Sequence, residues 1–110
     1  MENIELLSKD IKTAVEKAKM WQRVPTSEPG IFLIKAPVRG EEEHIMIEIN
    51  PIDVNGHPVK RRGIFISNLN QFKLFKEILN RDKAETVIKA IDYITGEALK
   101  QNGDKAVLKI

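Results

Sequence analysis

Residues 57–79 read HPVKRRGIFISNLNQFKLFKEIL, and the stretch changes its period in the middle. Through Ile64, Phe65 and Ile66 it is β-branched and aromatic, the composition of a strand. From Asn68 onward Leu69, Phe72, Phe75 and Leu79 recur at three- and four-residue steps, with Leu74 and Ile78 widening the stripe of an amphipathic helix. Asn68 suits an N-cap, and Gln71 three positions on forms a capping-box pattern with it. A strand over residues 59–66 therefore feeds straight into a helix.

Upstream, HIMIEIN (44–50) alternates cleanly, with Ile45, Ile47 and Ile49 on one face and His44, Met46 and Glu48 on the other. Asn55-Gly56 between the two strands can supply the positive φ angles of a hairpin turn. IFLIKAP (31–37) is a further strand, apolar on both parities, and Val38-Arg39-Gly40-Glu41 is a plausible turn after it. Three strands joined by short turns make an antiparallel meander.

Before the sheet, Ile4, Leu7, Ile11, Ala14, Val15 and Ala18 carry a helical period that ends near Trp21, which predicts one helix over residues 3–22. Pro25 and the Ser27-Glu28-Pro29-Gly30 cluster stop it. After the sheet, Asp82 with Glu85 repeats the N-cap signature. Val87, Ile91, Ile94 and Ala98 then line a third helix over about 83–100, closed by Asn102-Gly103. KAVLKI at the end is either a short strand or a tail. The expected fold is α+β: one domain over 1–110, with an N-terminal helix, a three-stranded meander and two C-terminal helices on one sheet face.

Composition narrows the function classes. The 110 residues are 42% hydrophobic and 31% charged, the balance of a globular chain. Eighteen Lys and Arg against sixteen Asp and Glu leave a net charge of +2, so a case for nucleic acid must rest on where the cations cluster. With no cysteine there is no disulfide framework or thiolate site, which fits a reducing cytosol. MENIELLSKDIK lacks the basic start and apolar run of a signal peptide. No apolar stretch reaches membrane-spanning length. Abundant Ile, Lys and Glu suit a hyperthermophile.

The cation cluster is Lys60-Arg61-Arg62. As plain structure, such residues guard a strand edge or solubilise a turn. As a site, they contact phosphates. If Ile64 and Ile66 point inward, Arg61, Gly63 and Phe65 share the outer face, with a phosphate on Arg61 and a base stacked on Phe65. The opposite parity buries Phe65 and turns Lys60 and Arg62 outward. Lys35 on the first strand and Arg39 in the following turn can approach this strand, and Arg23 follows the first helix. Trp21, the only tryptophan, reads first as a core anchor and second as an exposed stacking platform; Phe32 is a further stacking candidate.

GHPVKRRGIFISNLNQFKLFKEIL (56–79) resembles the core of the transcriptional positive cofactor four family of single-stranded DNA-binding proteins. That family places a turn, a basic stretch, a Lys/Arg-Gly step, a β-branched strand and a polar cap before an amphipathic helix bearing an early aromatic, here Phe72. The match is detailed over 56–79 and architectural over 31–79. The long N-terminal helix, the third helix and the lack of an obvious first strand depart from it, and look more like the archaeal ThermoDBP-related proteins. Either resemblance implies single-stranded DNA lying over the sheet and a homodimer or higher oligomer.

Catalytic chemistry has little to stand on. His44 and His57 share no helix face, Glu41-Glu42-Glu43 reads as a wet turn rather than a metal site, and Ser67 belongs to a helix start with no base beside it. Gly63 is isolated, and no phosphate-loop pattern occurs. The leading expectation is a cytoplasmic, non-enzymatic single-stranded nucleic-acid-binding protein without cofactor or metal. It tracks the backbone with Lys60, Arg61, Arg62 and Lys35, has Arg39 and Arg23 as further basic candidates, and offers Phe65, with Trp21 or Phe32, to the bases. The competing expectation is an interaction or oligomerisation module that uses the spare apolar faces.

Overall fold

A computed structural model describes residues 3–37 and 44–106, with side chains described as far as residue 97. The element order is α1 (Ile4–Glu16), β1 (Arg23–Pro25), β2 (Ile31–Ala36), β3 (His44–Ile49), β4 (Ile64–Ile66), α2 (Leu69–Leu79) and α3 (Asp82–Ala106). The architecture is α+β, as expected, but the sheet has four strands among the described residues rather than three. All neighbours are antiparallel, in the order β1-β2-β3-β4.

The additional strand follows directly on the residues expected to be helical, because the helix stops short and the chain turns back. Asn3 caps α1 by accepting the Leu6 N–H at 3.0 Å, and the helix ends at Glu16 instead of near Trp21. Ala18 N–H donates to the Val15 carbonyl, a tightened last turn, and the Lys19 amide is taken by the Gln22 side chain at 2.9 Å. Trp21 then adopts φ of 67°, the left-handed region, and its N–H donates to the Lys35 carbonyl at 2.8 Å. The chain reverses there and runs as β1 beside β2, pairing Arg23 with Ile34 and Pro25 with Phe32. A three-residue strand containing proline carries no alternating pattern, and proline is tolerated because β1 lies at the sheet edge.

The two sheet faces follow from the register. Leu33, Ile45, Ile47 and Ile66 lie on the face that receives Ile11 of α1 and Leu69 and Phe72 of α2, and Val15 is buried. The opposite face carries Ile34, Met46, Glu48 and Phe65, with Phe65 opposite Glu48 and Ile34 opposite Met46. Asn68 caps α2 by accepting the Gln71 N–H at 2.9 Å, and the Gln71 side chain reaches back to the Ser67 amide at 2.8 Å.

Contacts divide the chain into two compact units, Met1–Phe72 and Lys73–Ile110. In the second unit α3 runs through Asn102-Gly103 to Ala106, past the expected stop. Lys105 and Ala106 are therefore helical rather than the start of a strand, and residues 107–110 lie outside the described ones. From Lys73 to Glu97 only Ala84 is not exposed. Among the described residues no helix is long and apolar enough to cross a membrane.

Candidate nucleic-acid interface

The β3–β4 connection builds the site. The strand expected from Val59 does not form: the chain bends through 59–62 and β4 starts only at Ile64. The Asn55-Gly56 region does turn, with Gly56 at φ 82° and the Asp53 carboxylate accepting the Asn55 and His57 amides. After it, side chains of and just beyond β3 take over from the ladder. Asn50, fully buried, pairs with the Lys60 backbone as a strand neighbour would: its Oδ1 accepts the Lys60 N–H at 3.1 Å and its Nδ2 donates to the Lys60 carbonyl at 2.7 Å. Glu48, 1% exposed, accepts the Gly63 N–H at 2.7 Å.

Glu48 also receives the Arg23 guanidinium, with Nε donating at 2.6 Å and Nη2 at 3.0 Å. Arg23 Nη2 donates further to the Arg61 carbonyl, and Arg23 Cζ lies 5.7 Å from the centre of the Phe32 ring. Hydrogen bonding from Arg23 is the main force holding the Glu48 carboxyl below its usual pKa; burial opposes it, and the Gly63 amide, Asn50 and the Arg23 charge assist. The same bond raises Arg23. No buried side-chain polar atom among the described residues lacks a partner.

Above this network, Trp21, Ile34, Met46, Arg61, Arg62 and Phe65 line a pocket of about 650 Å³. Trp21 is 55% exposed and meets Phe65 edge-on, with ring centres 6.1 Å apart and planes at 66°. Arg61 and Arg62 are exposed, and neither side chain makes an ion pair with a described residue. The parity with Ile64 and Ile66 turned to the helices is the one adopted. Because 61 and 62 sit in a bend, strand alternation does not separate them, and both arginines border one pocket.

The other expected residues fare differently. Lys60 is exposed beside the arginines. Arg23 is at the site, but its guanidinium is committed to Glu48 and the loop carbonyls, so its role is to hold the segment rather than to offer a free charge. Lys35 belongs to the other face: it is 6% exposed and its Nζ donates to the Glu16 carbonyl at 3.0 Å, next to Val15 and Ile45. There it satisfies the C-terminal end of α1, whose last turn has no basic residue of its own. Trp21 is not the core anchor of the first helix. Arg39, the turn around it and Glu41-Glu42-Glu43 lie outside the described residues.

Sequence reasoning passed over Glu48 and Asn50. The available signal was a lone carboxylate in the middle of an apolar alternation, followed two residues later by an amide before Pro51. Among the described residues no group of three or more His, Asp or Glu side chains could hold a metal ion. Ser67 Oγ faces the Met46 thioether sulfur at 3.8 Å. No known protein family, curated protein or solved structure matches the chain.

Proposed function

We propose that this protein binds single-stranded nucleic acid, DNA in the first place, with little sequence preference, as a non-enzymatic cytoplasmic homodimer or higher homo-oligomer. The observation that carries the reading is the gathering of Trp21, Phe65, Arg61 and Arg62 around one open pocket. Aromatic rings offer every base a stacking surface and guanidinium groups offer every phosphate a charge, so affinity is high without base-edge readout. Lys60 extends the basic rim. Duplex DNA keeps its bases stacked inside and cannot use the rings.

Self-association is supported by the second unit. Leu74, Phe75, Ile78, Leu79, Val87, Ile88, Ile91, Tyr93 and Ile94 are all 40–71% exposed. Together they present on the order of 1,000 Å² of apolar surface, above the roughly 800 Å² that each partner gives to a standard interface. The same surface favours a second reading, an interaction module that binds no nucleic acid.

A fluorescent oligonucleotide titrated at low and moderate salt, with its duplex as control, separates the two. Tight binding of the single strand alone, weakening steeply with salt, is the expected result. Arg61→Ala/Arg62→Ala should weaken it strongly while leaving the fold intact. No binding at low salt transfers the case to the interaction module.

A further inference from the structure

A carboxylate is an unexpected thing to bury beneath a pocket that offers itself to a polyanion. Glu48 lies on the sheet face that carries Phe65, directly opposite it in the register, and is almost wholly removed from solvent. Its charge opposes an approaching phosphate. If the site needed only positive potential, glutamine in this place would serve better.

What Glu48 does instead is visible in its bonds. Its Oε2 holds the Gly63 amide, and its two oxygens orient Arg23, whose Nη2 in turn holds the Arg61 carbonyl. Asn50 Nδ2 lies 3.3 Å from the same Oε2 and clasps the Lys60 backbone. The segment 60–63 is thus fastened at Lys60, at Arg61 and at Gly63, on both sides of the two arginine side chains. Gly63 fits closely enough that a Cβ would stand 2.2 Å from the Ile49 carbonyl oxygen. A bend with no ladder of its own would otherwise sample many conformations, and ligand binding would have to order it.

We infer that Glu48, acting through Arg23 and together with Asn50, is a positioning residue that pre-orders segment 60–63 so that Arg61 and Arg62 stand together at the rim of the pocket. The inference rests on the nucleic-acid reading above and specifies how that site is assembled. The ligand it serves is a flexible strand of phosphodiesters, which gains from paired, fixed guanidinium groups because its own ordering is already costly.

The two possible roles of Glu48 predict opposite signs. Were its charge the main influence on the ligand, Glu48→Gln would tighten binding. As a positioning residue, Glu48→Gln loosens it. The test uses the full chain, a fluorescein-labelled oligothymidylate and amide hydrogen exchange, on wild type, Glu48→Gln, Arg61→Ala/Arg62→Ala and the combination.

The expected result is a Kd about tenfold higher in Glu48→Gln, and a smaller loss from the arginine substitutions in that background than in wild type. Exchange at the Lys60 and Gly63 amides should quicken about tenfold while the β2 amides hold their protection. Should Glu48→Gln fold poorly, Arg23→Lys keeps the cation but removes the two-pronged grip, and should show the same pattern at smaller amplitude. Tighter or unchanged binding, additive losses, or unchanged exchange at Lys60 and Gly63 overturns the inference. A wild type that binds no oligonucleotide overturns the functional reading first, and leaves the fastening of the segment to be decided by exchange alone.

Discussion

Trp21, in the turn before β1, and Phe65, on β4, meet edge to face with ring centres 6.1 Å apart and planes at 66°. In this arrangement the two rings do not form a parallel slot for a base. Trp21, with more than half its surface exposed, offers its outer face, and Phe65 braces it. Trp21→Ala is therefore expected to weaken single-strand binding by about 1–3 kcal/mol, the usual worth of one stacked base. The protein's only tryptophan should also report binding directly, its fluorescence changing on addition of oligonucleotide in wild type. Binding undiminished in Trp21→Ala would remove the indole from the site.

The left-handed backbone at Trp21 carries a second expectation. A non-glycine residue held at φ 67° costs roughly 1 kcal/mol or more. Trp21→Gly relieves that strain while giving up the indole's contact with Phe65. Its stability should stay within about 1 kcal/mol of wild type, whereas binding falls as far as in Trp21→Ala. Urea denaturation and oligonucleotide titration on the same samples check both halves.

Acid should loosen the network in a defined direction. Because the folded-state pKa of Glu48 is lowered, its contribution is fully present above the ordinary glutamate value and is lost as pH falls through that value and then through the lower folded one. Arg23, raised rather than lowered, stays charged throughout. Wild type should be more stable than Glu48→Gln at neutral pH, by about 2–3 kcal/mol, less than the roughly 3–5 kcal/mol of a fully buried pair because Arg23 is one-third exposed. The gap should close on acidification. Urea midpoints of the two proteins between pH 7 and pH 3 measure it, and a gap that stays constant contradicts the assignment.

Gly63 is tightly packed, with no room for a Cβ. A methyl group there would overlap the Ile49 carbonyl oxygen and the Asn50 Cβ, and neither backbone can retreat without disturbing β3 or the Asn50–Lys60 clasp. Gly63→Ala should cost about 2–3 kcal/mol, the range of an overpacked interior. By contrast, Gly96 has nothing within 4 Å of its would-be Cβ, and Gly96→Ala in α3 should stabilise the helix by up to about 1 kcal/mol. Thermal melts of the pair give the comparison.

For the second unit, sedimentation velocity is the measurement. Ile91 is half exposed on the stripe with Val87 and Ile94. If association covers the exposed half of Ile91, Ile91→Glu gives up about 1 kcal/mol per copy, half the worth of fully burying the side chain, and should shift the protein to a smaller species. A wild type that sediments as a monomer at tens of micromolar would dismiss the oligomer.

The strands at 31–36 and 44–49, the 64–66 end of the strand expected from 59, and the α2 cap were legible because each rests on local chemistry: alternation, β-branching, and a side chain that satisfies an amide a few residues away. The strand at 23–25 was not, since three residues with a proline make no pattern, and it exists because Ile34 and Phe32 are there to pair with. The helix stripe that seemed to run to Trp21 was broken by the Gln22 side chain and the pull of the Lys35 carbonyl. Lys35 itself looked like a site cation and became the cap of α1.

Local sequence alone determined the α+β class, the strand-to-helix step and the cluster of cations, because hydrophobic period and capping act within a few residues. Only the tertiary structure decided where the cations go. Glu48, Asn50 and Arg23 are scattered along the chain, and their bonds to residues 60–63 arise only when antiparallel pairing brings them together. No short-range pattern encodes that meeting, yet it sets Arg61 and Arg62 beside Trp21 and Phe65.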